Sequence, residues 1–234
     1  MSDSIVHANE PITLVGGGEI RKKVVRTALG HGSGLVAADG GAARLLTMGY
    51  VPDAVIGDFD SLDSASCAAI PPDRLHRITE QDSTDFEKCL RNIDAPLVIG
   101  VGFGGGRIDH QLAVYHGMLR HPDRPCILLG RHDLLFLAPP ELELVLPNRS
   151  RFSAFPMMPV EARSQGLRWP LAGVDLAPGR MIGTSNEVTG PVKLSASAPG
   201  LLVILPARLL KQAVRLFVGS HDCAPAMRWP AHTT

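Results

Sequence analysis

The sequence predicts an α/β domain on a mainly parallel, Rossmann-like sheet, followed by an all-β sandwich domain, with the change near residue 135. Two observations carry the first half of that reading. Short apolar runs recur along it, and each stops at a glycine-rich or acidic segment before a helix-compatible stretch, the pattern of repeated βα units. A third observation carries the second half: the runs there are bounded by Pro, Gly and Ser, with little helical potential between them.

Taken in order, residues 12–15 read as a first strand ending at Gly16-Gly17-Gly18, and 35–38 as a second ending at Asp39-Gly40-Gly41. Residues 54–56 form a third, ending at Gly57-Asp58-Phe59-Asp60-Ser61, and 97–101 a fourth, breaking into Gly102-Phe103-Gly104-Gly105-Gly106. Ligands of open parallel sheets bind beyond the carboxyl ends of the strands, so these four polar segments are expected on one rim. Helices are predicted over 42–48, 85–93 and 109–120, with Asp or Thr near their starts, and a closing strand over 126–129. Further on, strands are predicted over 134–137, 142–146, 193–197 and 201–205, while 207–217 fits helix or strand. The expected domains are 1–135 and 136–234.

Lys plus Arg equals Asp plus Glu, at 23 each, which leaves no overall electrostatic footprint for nucleic acid or a charged membrane. Cys67, Cys89, Cys126 and Cys223 contain no CxxC pair, so free thiols in a reducing cytosol are expected rather than a zinc ribbon or a disulfide framework. The N-terminus lacks a basic start followed by an apolar run, and no apolar stretch approaches membrane-spanning length. A soluble, cytoplasmic protein is expected.

The sharpest chemical feature is Asp58-Phe59-Asp60 after an apolar strand. Two carboxylates one residue apart can approach one metal if the turn redirects the chain, and hard oxygen ligands suit magnesium on nucleotide phosphates. Alone, the pair fits an acidic turn or a glycosyltransferase equally well. Gln81-Asp82-Ser83-Thr84-Asp85 opens a helix that Thr84 or Ser83 can cap; Asp85 then serves either its first turn or the metal site. Asp58, Asp60, Asp82 and Asp85 brought together without a cation would repel one another, a conflict that a divalent ion removes.

In Gly104-Gly105-Gly106-Arg107-Ile108-Asp109-His110 the glycines allow close approach of backbone N–H groups to phosphate, and Arg107 can clamp phosphate charge. His110 is read as either a hydrogen-bonded structural histidine or a base, and the other histidines lack zinc-ligand spacing. The glycine runs lack both the GKS/GKT ending of a P-loop and a GxGxxG continuation.

Asp39-Gly40-Gly41-Ala42 with Arg44-Leu45, GDFDS at 57–61, QDSTDFEKCL at 81–90 and GGRIDHQLA at 105–113 resemble, in order and spacing, the signatures of the thiamine pyrophosphokinases. Gly166-Leu167-Arg168-Trp169 and Gly183-Thr184-Ser185-Asn186-Glu187 resemble that family's C-terminal pattern, so the likeness spans most of the chain. It implies pyrophosphate transfer from ATP to the hydroxyl of thiamine, with magnesium as cofactor. It also implies a homodimer whose active sites join one subunit's N-terminal domain to the other's C-terminal domain.

Carried over residue by residue, the resemblance assigns Asp58, Asp60 and Asp85 to magnesium. It assigns Gly17, Gly18, Asp39, Gly40, Gly41, Arg44, Thr84, Lys88, Gly105 and Arg107 to the nucleotide. Gln81, Asp109, His110, Trp169, Thr184, Ser185 and Asn186 go to thiamine, with Ser185 and Asn186 supplied by the partner subunit. Trp169 either stacks on substrate or packs the β domain. The proton acceptor is Asp82 or Asp85.

Ala43, Ser83, Glu187 and Val188 depart from the family pattern around the acceptor while leaving the phosphate-binding positions intact. The alternatives are a pyrophosphokinase for another alcohol, such as a hydroxymethyl pterin, and a non-catalytic sensor of thiamine or nucleotide.

Overall fold

Strands that are apolar on both faces can only be satisfied between two layers, and the first part of the chain supplies five of them. A computed structural model describes residues 4–219 and 224–231; Cys223 lies outside them. The chain divides into two compact units, Met1–Gly130 and Arg131–Thr234.

The first unit runs β1 (Val6–His7), β2 (Ile12–Val15), α1 (Lys22–Leu29), β3 (Gly34–Ala38), α2 (Gly41–Thr47) and β4 (Ala54–Gly57). It continues through α3 (Ser64–Ala68), a 3-10 turn at Pro72–Arg74, β5 (Leu75–Arg77), α4 (Asp85–Asn92), β6 (Ile93–Asp94), β7 (Val98–Val101), α5 (Ile108–Arg120) and β8 (Cys126–Leu129). The strand order is β8-β7-β2-β3-β4-β5, and every neighbouring pair is parallel. All residues of β2, β4, β7 and β8 are buried. The short pair β1–β6 stands apart from this sheet.

Strand order reverses at β2, since the chain builds outward through β3, β4 and β5 and then returns to the other side of β2 with β7. The Gly16 N–H donates to Val101 O at 2.9 Å and the Gly18 N–H to Gly102 O at 3.0 Å, so the segments after β2 and β7 are tied together at that reversal. Helix α4 is secured by a capping box: Thr84 Oγ1 accepts from the Glu87 N–H, and the Glu87 carboxylate accepts from the Thr84 N–H. Helix α1 carries no side-chain cap and begins with two lysines and two valines, which is why the sequence gives no sign of it.

The second unit contains β9 (Asp133–Leu137), β10 (Glu141–Leu144), β11 (Arg151–Pro156), β12 (Val160–Leu167), β13 (Ala172–Leu176), β14 (Gly183–Ala196) and β15 (Leu201–Pro206). All pairings among these strands are antiparallel. The start of β14 pairs with β11 (Arg151 opposite Glu187) and its later part with β12 and β10 (Leu194 opposite Ser164 and Leu142), so one long strand serves three partners. The prediction placed only 193–197 here as strand.

The expectation of an all-β second domain needs correction. After a 3-10 turn at Ala207–Leu209, residues 210–218 form α6 (Leu210–Val218). Leu210, Ala213, Val214 and Phe217 recur at helical spacing and are buried, and the Phe217 ring packs edge-on against Phe136 at 5.4 Å. Among the described residues Cys67, Cys89 and Cys126 are free thiols, and no helix is long and apolar enough to cross a membrane.

Candidate active site

The carboxyl ends of β3 and β4 bring three aspartates together. Oxygens of Asp39, Asp58 and Asp60 all lie within 4.8 Å of one another. Phe59 adopts a left-handed φ of 67°, and the Asp60 N–H turns back to donate to Asp58 Oδ1 at 3.2 Å, so the chain folds between the two carboxylates. Asp39 is itself left-handed, with φ 40°, and 3% exposed. Its Oδ2 accepts from the Ser61 N–H at 3.1 Å, while its Oδ1 is buried without a hydrogen-bond partner. Burial, then the charge of Asp85, raises the Asp39 pKa above the usual aspartate value.

Gly57 lies beneath this group. A Cβ there would come 2.8 Å from Asp39 Cβ and 3.2 Å from Asp85 Oδ1, so only glycine allows β4 and the acidic side chains to approach this closely. A buried carboxylate oxygen with no donor, facing two further carboxylates, is costly unless a cation shares it. Three convergent hard oxygen donors fit magnesium.

Asp85 stands beside this set rather than in it. Its Oδ1 is 3.2 Å from Lys88 Nζ, which also reaches Asp58 Oδ2 at 3.3 Å. Lys88 is almost fully buried, so its ammonium group is committed to these two carboxylates. Burial opposes the charge of Asp58, but the Asp60 N–H and Lys88 outweigh it and lower the Asp58 pKa. For Asp85 burial prevails and its pKa is raised despite Lys88.

Gln81 Nε2 lies 3.4 Å from Asp58 Oδ2, which brings it to the edge of the group. Asp82 is exposed, and its N–H donates to Glu80. Thr84 serves as the N-cap of α4, and Arg77, which sequence reasoning missed, donates from Nε to Asp58 O at 2.9 Å. Nothing in the sequence around Arg77 marks it, because its role depends on the parallel pairing of β5 with β4.

On the β2 side, Arg44 donates from Nε to Gly17 O at 3.3 Å, and Gly40 and Gly41 form the start of α2. In the loop after β7, Phe103 packs edge-on against Phe86 of α4 at 4.9 Å, while Gly105 and Gly106 have φ of 77° and 97° and face open space. Arg107 and Asp109 are exposed and paired in two-pronged fashion, at 3.1 and 2.5 Å. That pairing, led by the hydrogen bonds from Arg107, pulls the Asp109 pKa down to about 2. His110 is exposed on the first turn of α5.

In the second unit Asn186 is buried, and both the oxygen and the nitrogen of its amide are hydrogen-bonded. Oδ1 accepts from the N–H groups of Trp169 and Glu187 at 3.1 and 2.9 Å, and Nδ2 donates to Trp169 O at 2.6 Å. Asn186 thus fixes the backbone of Trp169, a residue that is 57% exposed, with Arg168 stacked 5.0 Å from the centre of its ring. Trp169 therefore does not pack the core of this unit. Thr184 and Ser185 are exposed nearby on β14, and Ser185 is left-handed at φ 60° with its N–H donating to Ser153 Oγ.

Comparison with known proteins gives a consistent result for both units. Residues 25–128 match the family model described as thiamin pyrophosphokinase, catalytic domain, and residues 146–201 match thiamin pyrophosphokinase, vitamin B1 binding domain. Thiamine pyrophosphokinase 1 of Arabidopsis thaliana is 25% identical over 195 residues, covering 68% of this chain and 72% of that protein. Thiamin pyrophosphokinase 1 of Caenorhabditis elegans is 26% identical over 174 residues, covering 66% and 71%. The crystal structure of thiamin pyrophosphokinase from Geobacillus thermodenitrificans superposes with a TM-score of 0.69 at 26% identity, covering 84% of this chain and 96% of that one. The thiamin pyrophosphokinase of Candida albicans, at 16% identity, shares the fold with a TM-score of 0.72, covering 88% and 95%.

Proposed function

Because the chain belongs to the thiamin pyrophosphokinase family, we propose that it transfers the pyrophosphoryl group of ATP to the hydroxyl of thiamine, giving thiamine diphosphate and AMP. The observation that carries this reading is the pairing in one chain of the catalytic and vitamin B1 binding models, the first enclosing the Asp39, Asp58 and Asp60 group. The family match favours thiamine over another alcohol as acceptor.

The hydroxyl oxygen of thiamine attacks the β-phosphorus of ATP, the bond from that phosphorus to the AMP oxygen breaks, and the hydroxyl proton passes to a nearby carboxylate or water. Asp39, Asp58 and Asp60 would hold magnesium, which when bound offsets phosphate charge as that bond breaks. Lys88 keeps Asp58 ionised and limits its repulsion with Asp85. Arg44 steadies the Gly17 loop, and the open loop at Gly105 and Gly106 admits phosphate close to the backbone. Arg107 would exchange its exposed partner Asp109 for a phosphate oxygen pair, a planar fork suited to either.

Thiamine would be read by Gln81 of one subunit and by Trp169, Thr184 and Ser185 of the other, with Asn186 holding Trp169 in place. We further propose a cytoplasmic homodimer. AMP release measured with ATP, magnesium and either thiamine or a hydroxymethyl pterin tests the acceptor. Release with thiamine is expected; release with the pterin alone would contradict the reading.

A further inference from the structure

Between β5 and α4 the chain passes the acidic group through residues 78–84, and Glu80 there holds a closed set of contacts that the proposed chemistry does not use. Its Oε1 accepts from Arg91 Nη2 at 2.6 Å and from the Ser83 hydroxyl, and its Oε2 accepts from the Asp82 N–H at 2.9 Å. Arg91 Nη2 also donates to Ser83 Oγ at 3.0 Å. Arg91 lies in the last turn of α4, so these contacts tie the segment before the helix to the helix's far end.

Helix α4 does not need this tie to begin, because the Thr84–Glu87 capping box already satisfies its first turn. What lies inside the tied segment is Gln81. Its own contacts are long, 3.4 Å to Asp58 Oδ2 and 3.5 Å to Thr79 O, too weak to fix its position. We propose that Glu80, Ser83 and Arg91 form a positioning clamp that holds Gln81 toward the acceptor alcohol, so that they govern thiamine affinity without touching thiamine.

An isolated surface ion pair contributes little, but here one carboxylate gathers three donors, two of them also linked to each other. The Ser83 hydroxyl first, with Arg91 and the Asp82 N–H, outweighs partial burial and holds the Glu80 pKa down to about 2, so the clamp stays charged at working pH.

This inference rests on the proposed thiamine chemistry, and its test separates the two. Thiamine affinity by calorimetry, KM for thiamine and for ATP, kcat and the unfolding midpoint are measured for the unaltered chain and for Glu80→Ala, Glu80→Gln and Ser83→Ala. Loss of charge-assisted hydrogen bonds in Glu80→Ala is expected to weaken thiamine binding and raise its KM about tenfold. KM for ATP and kcat should stay within about twofold, because the two effects have separate origins. Glu80→Gln, which keeps acceptor and shape, should recover part of the loss, and Ser83→Ala should show a smaller shift in the same direction. Unchanged thiamine affinity in Glu80→Ala overturns the clamp while leaving the activity intact. So does an equal loss of ATP affinity, thiamine affinity and unfolding midpoint, the mark of a merely structural role. Failure of the unaltered chain to bind thiamine or release AMP overturns the proposed function first and the clamp with it.

Discussion

Asp39 combines a left-handed backbone, which costs a non-glycine residue about 1–2 kcal/mol, with a buried carboxylate oxygen that no donor satisfies. Such strain persists where the surrounding structure imposes it, and here Gly57 packs directly beneath. Asp39 and Asp85 both have pKa values raised above the ordinary 3.8, so each holds its proton more tightly folded than unfolded. Stability of the metal-free protein should therefore fall as pH rises from about 4 through these raised values. Asp58 acts in the opposite sense: its lowered pKa contributes stability above 3.8 that is lost as pH falls through the folded value. The magnesium proposed for this group would take the place of the proton on the crowded carboxylates. Millimolar magnesium is thus expected to raise the unfolding midpoint more at neutral pH than near pH 4.5, and equal shifts at both would contradict a site at Asp39, Asp58 and Asp60. Asp58→Asn and Asp60→Asn should each lower kcat/KM at least about a hundredfold, the scale seen when one charge-stabilising group is removed. Circular dichroism should show the fold retained in both.

Among the elements, β4 and α4 do most to assemble the site, and each has a distinct weak point. Gly57→Ala puts a methyl against Asp39 Cβ at 2.8 Å, and is expected to cost about 1–3 kcal/mol in urea unfolding and to weaken magnesium binding. Unaltered stability and metal affinity would show that β4 and the acidic loop are not closely packed. Thr84→Ala removes the cap of α4 and should cost about 1 kcal/mol by the same measurement. The sequence made β2, β3, β4, β7 and β8 legible because each is a short apolar run ended by glycine or aspartate. Helices α2, α4 and α5 were legible from composition and from polar starts. Helix α1 and strand β5 were not, since Lys22–Leu29 has no cap and Leu75–Arg77 is an edge strand of three residues. At the site, GDFDS marked Asp58 and Asp60 by local pattern alone. The sequence put Asp39 on the same rim as them, but its direct convergence with their oxygens, and the attachment of Arg77 to the Asp58 carbonyl, depend on how neighbouring parallel strands pair. The engagement of Asn186 with the Trp169 backbone is likewise a product of the turn between β12 and β13 meeting β14.

At the scale of the whole molecule, two units of different construction divide the work proposed for them: a parallel α/β unit that gathers carboxylates and an antiparallel unit that presents Trp169, Thr184 and Ser185. If the proposed homodimer forms, sedimentation equilibrium should return twice the 25.0 kDa of one chain; full activity at the mass of one chain would contradict it. The central claim concerns which phosphorus is attacked, because attack at the β-phosphorus moves two phosphates at once whereas attack at the γ-phosphorus moves one. Phosphorus NMR of a reaction containing ATP, magnesium, thiamine and the purified chain reads this directly. Thiamine diphosphate and AMP appearing in equal amounts is the expected result; ADP with thiamine monophosphate, or no phosphorylated thiamine at all, would contradict it.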